Sequence, residues 1–272
     1  MSHLRIESLS KVYVDEYRGE NVVALDDISF TIEQGEFVSI LGPSGCGKTT
    51  ILNIVAGFIE PSGGRILLGD KPIGGPGPDR GVVFQSFALF PWKTILGNVR
   101  FGPKMAKRSR SEQDRVAREF IELVGLTGFE DRYPHELSGG MQQRVGVARV
   151  LANDPQLMLM DEPFASVDAQ TRMKLQEDLI KVWEERHPTI MLITHDIEEA
   201  VFLSDRVIVL TSHPGRLNRD MRIDLPRPRQ WANLVRDTRF SEITHEIMGL
   251  IMQGSGNADA EQEQEAVGEA SP

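Results

Sequence analysis

Residues Gly42-Pro43-Ser44-Gly45-Cys46-Gly47-Lys48-Thr49 follow the pattern G-x-x-x-x-G-K-[ST], and Thr50 opens an apolar helical run that reaches Ala56. Glycines at this spacing let successive backbone N–H groups turn inward on a phosphate, and the helix N-terminus behind them adds its partial positive charge. Lys48 would reach the terminal phosphates of a nucleotide, and the Thr49 hydroxyl would ligate Mg²⁺. Cys46 sits inside the loop. A thiol beside a helix N-terminus can be activated toward oxidation, but the simpler reading is a small loop residue without a redox role.

A second signal is Leu157-Met158-Leu159-Met160-Asp161-Glu162. An apolar strand ending in a carboxylate can set Asp161 beside the Mg²⁺ shell, and the carboxylate after it can polarise a water for attack on a γ-phosphate.

These residues need elements that hold them at one edge. Short apolar runs recur at Phe37 to Leu41, Gly81 to Phe84, Leu157 to Met160, Thr189 to Ile193 and Val207 to Leu210. Without polar alternation they read as strands buried on both faces of a parallel sheet. Helical spacing lies between them: Leu175, Leu179 and Val182 recur at i, i+4, i+7, as do Val116, Phe120 and Leu123, with Ser111 as the N-cap expected before the latter set. Strands alternating with helices predict an α/β core. Ser29 to Glu33 alternates in strand fashion before a Gln34-Gly35-Glu36 turn, which predicts a small antiparallel sheet at the N-terminal end. Residues 86 to 155 carry mostly helical signal. Pro226-Arg227-Pro228-Arg229 reads as a linker into a short helix near 241 to 252, and the polar, aromatic-free stretch 253–272 reads as disordered.

The chain has 272 residues, with 40% hydrophobic and 26% charged residues, as soluble globular proteins have. Its formal charge of −10 is unsuited to gripping nucleic-acid phosphates, so no nucleic-acid partner is expected. Five of its acids, Asp259, Glu261, Glu263, Glu265 and Glu269, fall in the polar stretch at the end. One cysteine precludes an intrachain disulfide framework and suits a reducing compartment. The N-terminus has no basic segment followed by an apolar run, and no apolar stretch approaches the roughly eighteen residues of a membrane span. A cytoplasmic location is expected, with any membrane role played through a partner.

Leu137-Ser138-Gly139-Gly140-Met141-Gln142-Gln143-Arg144 resembles the signature motif of the ATP-binding-cassette ATPases. The other landmarks then fall in that family's order over about residues 4 to 215: Tyr13, the phosphate loop, Gln85 after Val82-Val83-Phe84, the signature, Asp161-Glu162, the Ser166-Val167-Asp168 turn, and His195 after Leu192-Ile193-Thr194. The fold implied is a RecA-like P-loop NTPase core with an N-terminal antiparallel β subdomain and an inserted helical subdomain of about 86–155. On that reading the nucleotide-binding domain is 1–225, and 226–252 is the linker and C-terminal helix.

The resemblance also implies roles. Tyr13 would stack on adenine, with Tyr17 as a competitor. Gly42, Pro43, Ser44, Gly45, Cys46, Gly47, Lys48, Thr49 and Thr50 would hold the phosphates of ATP. Thr49, Gln85 and Asp161 would complete the Mg²⁺ shell. Glu162 would be the general base, with His195 contacting the γ-phosphate and holding base and water in register, while Gln85 senses the γ-phosphate. Ser138, Gly139 and Gly140 would face the ATP of a second copy of the chain, and Asp168 would couple the two sites. Two departures stand out: Met141 replaces a glutamine usual in the signature, and Val167 replaces the leucine usual before Asp168.

Further segments, among them Gly75 to Gln85, Phe90-Pro91-Trp92, Thr194 to Phe202 and Ser212-His213-Pro214-Gly215-Arg216, look like the ATP-binding subunits of nitrate, aliphatic sulfonate and taurine importers. The aromatic run Phe84 to Trp92 would then meet a membrane-spanning permease at the cytoplasmic face of the inner membrane, and a solute-binding protein would be an indirect partner. The basic run Lys104 to Arg110 reads as a solvated surface. The alternative reading is a soluble cassette ATPase of the DNA-repair or translation type; such relatives generally carry a coiled-coil insertion or two cassettes, and neither is present.

Overall fold

The computed structural model describes residues 2–15 and 19–268. Two sheets frame it. The first is antiparallel, with order β2-β1-β4-β5, built from β1 (Ser2–Asp15), β2 (Glu20–Glu33), β4 (Gly63–Leu68) and β5 (Lys71–Pro72). It includes the expected N-terminal pair, and it recruits 63–72 as well, a segment too glycine-rich and turn-rich to read as strand in the sequence. The second sheet has order β10-β9-β3-β8-β7-β6. Its members are β3 (Phe37–Leu41), β6 (Arg80–Val83), β7 (Leu157–Asp161), β8 (Thr189–Ile193), β9 (Arg206–Leu210) and β10 (Leu217–Arg222). The first five are mutually parallel and fall on the apolar runs of the sequence; β10 pairs antiparallel with β9 at the edge.

The parallel strands bury both faces. Phe37, Leu41, Met158, Met160, Ile190, Leu192, Val207 and Val209 point to one core, and Val38, Ile40, Leu157, Leu159, Met191, Ile193, Ile208 and Leu210 to the other. Side chains two apart share a face, so strands covered on both sides carry no polar alternation. The antiparallel sheet and α1 (Lys48–Ala56) close the second core. The first is closed by α5 (Gly139–Leu151), α6 (Ala169–Arg186), α7 (Ile197–Leu203) and the segment after β10.

A third core belongs to the helical insertion, supplied by α2 (Ile95–Val99), α4 (Arg110–Leu123) and α5, with α3 (Phe101–Met105) lying against α4 and α5. Helix α5 serves two cores, with Val145 and Ala148 in the helical one, joined by Ala152 just past its end, and Val147, Val150 and Leu151 in the sheet's. The cap of α4 is Ser109, whose hydroxyl accepts the Glu112 N–H at 3.3 Å, not the expected Ser111, which instead hydrogen-bonds Ser109 at 3.1 Å. Ser111 falls inside the first turn of the helix, two residues past the cap.

The C-terminal segment departs from expectation. Arg227 pairs with Asp205 at 2.8 Å and lies over the Trp183 ring at 4.1 Å, so the predicted linker is anchored. Arg229 is only 3% exposed; its guanidinium donates to the carbonyls of Val201, Phe202 and Ser204 at the end of α7 and to those of Ile223 and Leu225. These are the carbonyls a helix C-terminus leaves without partners, and a cation is favoured there. Trp231, opening α8 (Trp231–Leu234), stacks on Phe202 with centroids 4.2 Å apart. Helix α9 runs from Thr238 to Gly268, past the expected end near 252 and into the stretch expected to be disordered. Its continuation is rich in Ala, Glu and Gln, which are strong helix formers even where nothing apolar is available to bury. Residues 269–272 lie outside the described residues. Among those described, no helix is long and apolar enough to cross a membrane.

Candidate functional site

The phosphate loop joins β3 to α1. Gly47 caps the helix at φ 86°, a conformation open to glycine. A Cβ there would also come within 2.4 Å of Leu25 and 3.0 Å of the Ala24 carbonyl, so β2 and the loop touch only because the side chain is absent. Lys48 is buried, and its ammonium donates to the carbonyls of Gly42 at 2.8 Å and Pro43 at 2.9 Å, with the Cys46 sulfur 3.6 Å away. Burial pushes the Cys46 thiol up, with Lys48 opposing the shift, so the residue is a buried thiol and not an activated one.

A cavity of about 530 Å³ opens over this loop, lined by Ala24, Ser44 to Thr50, Glu162 and His195. A helix N-terminus, an ammonium, small residues and the Glu162 carboxylate line it, with Asp161 next to Glu162 but not among the lining residues; the set fits a polyphosphate and its divalent cation. The Thr49 hydroxyl and the Asp161 carboxylate are hard oxygen donors, the kind Mg²⁺ takes. Burial, followed by the charge of Glu162, raises the Asp161 carboxyl; Lys48 opposes the rise.

Asp161 and Ile193 are register partners in the parallel pairing of β7 with β8. The residues just past each strand therefore emerge side by side. Glu162 takes φ 43° there, donates its N–H to the Ile193 carbonyl at 2.9 Å, and turns its carboxylate to His195, 3.1 Å from Oε1 to Nδ1. A non-glycine residue in the left-handed region costs roughly 1–3 kcal/mol and persists where surrounding structure imposes it.

The remaining expected residues do not all converge. Gln85, exposed just beyond β6, lies at the same strand edge but not among the residues lining the cavity. Tyr13 is exposed on β1 with its hydroxyl 3.4 Å from that of Thr50, beside the loop; Tyr17 lies outside the described residues. Ser138 caps α5, accepting the Met141 N–H at 3.3 Å, and with Gly139 it is exposed and outside the cavity. Gly140 is buried where a Cβ would meet the Thr171 methyl at 2.7 Å, so this glycine lets α5 approach α6. Met141 packs into the helical core, which gives an apolar residue a place in the signature. Asp168 caps α6 by accepting the Thr171 N–H at 3.0 Å; hydrogen bonds from Thr171 hold its carboxyl below the usual range.

Three groups were not legible as functional in the sequence. Asn98 is buried and fixes the aromatic loop, accepting the Phe90 N–H at 2.8 Å and donating to the carbonyls of Phe90, Lys93 and Thr94. Arg149 donates to the carbonyls of Phe87 and Ala88 from the far end of α5. Both shape the edge of a second cavity, of about 560 Å³, lined by Phe84, Phe90, Phe101, Met105 and Arg149 among others; Trp92 stands beside that loop at 71% exposure. The third group lies behind His195. Its neighbour Asp196 caps α7, and Glu199, three residues on, is buried and accepts a hydrogen bond from Gln176 at 2.8 Å. Gln176 in turn accepts the Trp231 indole N–H at 3.1 Å. Burial pushes the Glu199 carboxyl up to about 7, against hydrogen bonds from Thr194 and Gln176.

Comparison with known proteins matches residues 25–165 to a family model described as ABC transporter. The chain is 49% identical over 248 residues to an uncharacterised ABC transporter ATP-binding protein of Methanocaldococcus jannaschii, covering 91% of each. It is 45% identical over 254 residues to a taurine import ATP-binding protein of Jannaschia sp., covering 92% of this chain and 94% of the relative. A nitrate import ATP-binding protein of Synechococcus elongatus is 43% identical over 240 residues, with 87% and 88% covered. Among solved structures, a dimeric post-hydrolysis ATP-binding cassette bound to ADP and phosphate superposes with a TM-score of 0.69 at 34% identity, covering 82% of this chain and all of that one.

Proposed function

The chain belongs to the ABC transporter family, as one of its ATPases, and from that premise we propose that it energises the import of a small oxyanion or organosulfonate through a separate membrane permease. The observation that carries the catalytic part is the Glu162–His195 contact of 3.1 Å inside a cavity walled by the phosphate loop. The loop amides, Ser44 and Lys48 bind the phosphates of ATP, and Tyr13 meets the adenine. Thr49, Asp161 and Gln85 would hold Mg²⁺, which when bound neutralises phosphate charge. Glu162 accepts a proton from water as its oxygen attacks the γ-phosphorus; the bond to the β–γ bridging oxygen breaks, and ADP and inorganic phosphate leave. His195 keeps carboxylate and water in line.

Ser138 and Gly139 are exposed and lie outside this cavity. Their exposure suits the family's arrangement, in which this helix N-terminus meets the ATP of a second copy and the site is complete only in a dimer. The aromatic-lined second cavity, between sheet edge and helical insertion, receives the permease, which holds the chain at the cytoplasmic face of the membrane; a solute-binding protein delivers the cargo. The choice of solute rests on the taurine and nitrate import relatives.

The deciding experiment is uptake of labelled taurine and of labelled nitrate into vesicles that carry the permease with this chain and ATP on the luminal side and the solute-binding protein supplied outside. ATP-dependent uptake of one of them, abolished by Lys48→Ala, is expected. Steady ATP turnover with no permease stimulation and no uptake of either would favour a cassette ATPase uncoupled from transport.

A further inference from the structure

Helix α6 touches both the Ser166–Asp168 turn and the start of α7 beside His195. At its N-terminal end it is capped by Asp168 of the Ser166-Val167-Asp168 turn. One turn on, the Arg172 guanidinium donates from Nη2 to the Val167 carbonyl at 3.3 Å, and its Nη1 lies 3.5 Å from the Asp196 carboxylate. A further turn on, Gln176 donates to Glu199. Residues four apart lie on one face of a helix, so α6 grips the first turn of α7 at Asp196 and Glu199, themselves three apart. Both oxygens of Asp196 are committed: Oδ1 accepts the Glu199 N–H at 3.0 Å and Oδ2 meets Arg172.

Gln176 has no freedom to reverse. The Trp231 indole can only donate, so the amide oxygen must face it and the amide NH₂ must face Glu199. His195 immediately precedes the residue so held. Its hydrogen-bond distance to Glu162, 3.1 Å, leaves only a few tenths of an ångström before the contact weakens.

We propose that Arg172 and Gln176 are positioning residues that hold His195 in register with the Ser166–Asp168 turn, so that a shift of the turn is felt at the catalytic contact. This rests on the reading of Glu162 as base and His195 as its partner. The Arg172–Asp196 pair is about one-third exposed on each side, 32% and 34%, and such pairs add little to stability; its contribution is to geometry, where a displacement of about 1 Å costs on the order of 10²-fold in rate.

The test is ATP hydrolysis by the full chain, with equilibrium ATP binding and melting temperature measured alongside, for Arg172→Ala, Arg172→Lys, Asp196→Asn and the Arg172→Ala/Asp196→Asn double variant. Asparagine keeps the cap on α7 and removes the ion pair. The alanine variant is expected to lower kcat about tenfold or more with KM and ATP affinity unchanged, and lysine to recover part of the loss. Asp196→Asn should match the alanine variant, and the double variant should add nothing further. Parental kcat in Arg172→Ala, losses that multiply in the double variant, or a fall in melting temperature or ATP affinity that tracks kcat would each overturn the proposal. Glu162→Gln, run in parallel, separates the premises: if it turns over normally the base assignment fails, and if it is inactive while Arg172→Ala is unaffected only the positioning role fails.

Discussion

The Nδ1 atom of His195 lies 3.1 Å from Oε1 of Glu162, and the parallel pairing of β7 with β8 is what brings them together. Each residue sits just beyond its own strand. A slip of the register by one would exchange the strand's apolar side chains between the two cores and carry Glu162 out of line with His195. The packing that stabilises the sheet therefore also sets the chemistry.

Replacing Glu162 with Gln keeps length and shape but removes the proton acceptor. ATP binding is expected to persist, while phosphate release falls by about 10²-fold or more. Size-exclusion chromatography with ATP should then show an accumulating dimer, since closure precedes the step that is blocked. Turnover near the parental rate would remove Glu162 as base.

Trp92 is 71% exposed on a loop whose backbone Asn98 holds from within. Trp92→Glu should therefore leave folding and ATP binding of the isolated chain intact and abolish co-purification with the permease. Unchanged capture of the permease would place the docking surface elsewhere.

Glu199 gives the stability of the fold a pH dependence. Its carboxyl, raised by burial to about 7 from the usual 4.5, faces Thr194, Gln176, Asp196 and Arg172. Between those values the folded chain keeps a proton that the unfolded chain has released. The stability this confers is full below the unfolded value and is lost as pH rises through about 7. Glu199→Gln cannot titrate, so the gap in melting temperature between it and the parent should move in the variant's favour as pH rises from about 5 to 8. A gap that stays constant over that range would show that the carboxyl titrates normally.

Trp231→Ala removes the stack on Phe202 and the hydrogen bond to Gln176. Truncating a buried tryptophan costs about 3–5 kcal/mol, which corresponds to a loss of roughly 5–9 °C in thermal unfolding for a chain of this size. A loss below about 2 °C would mean that the segment after β10 is not part of the cooperative unit.

The strand edge that carries the candidate site was largely legible. Strands buried on both faces announce themselves as unbroken apolar runs, and β3, β6, β7, β8 and β9 fall on those runs; the phosphate loop, Asp161, Glu162 and His195 follow directly from them. What escaped depends on contacts distant in the chain. Pro226 to Arg229 reads as a linker because arginine and proline are polar and helix-breaking locally, yet Arg229 is buried by carbonyls some twenty-five residues away. Arg172 carries no signal in the sequence, and only the placement of α7 brings Asp196 to it. The continuation of α9 was misread because composition weighs what can be buried, whereas local helix propensity does not need burial.

Arg229 also sets an order of events at the ribosome. The phosphate loop and both strands that flank the catalytic contact are synthesised well before residues 229–231. Until those residues emerge, α7 ends in bare carbonyls and the Phe202 ring lacks the indole that covers it. A nascent chain halted near residue 225 would therefore hold every motif needed to bind ATP while still displaying an unfinished apolar face, the kind of surface that chaperones and proteases read. Completion of the core beneath α7 waits for residues 229–231 to be made.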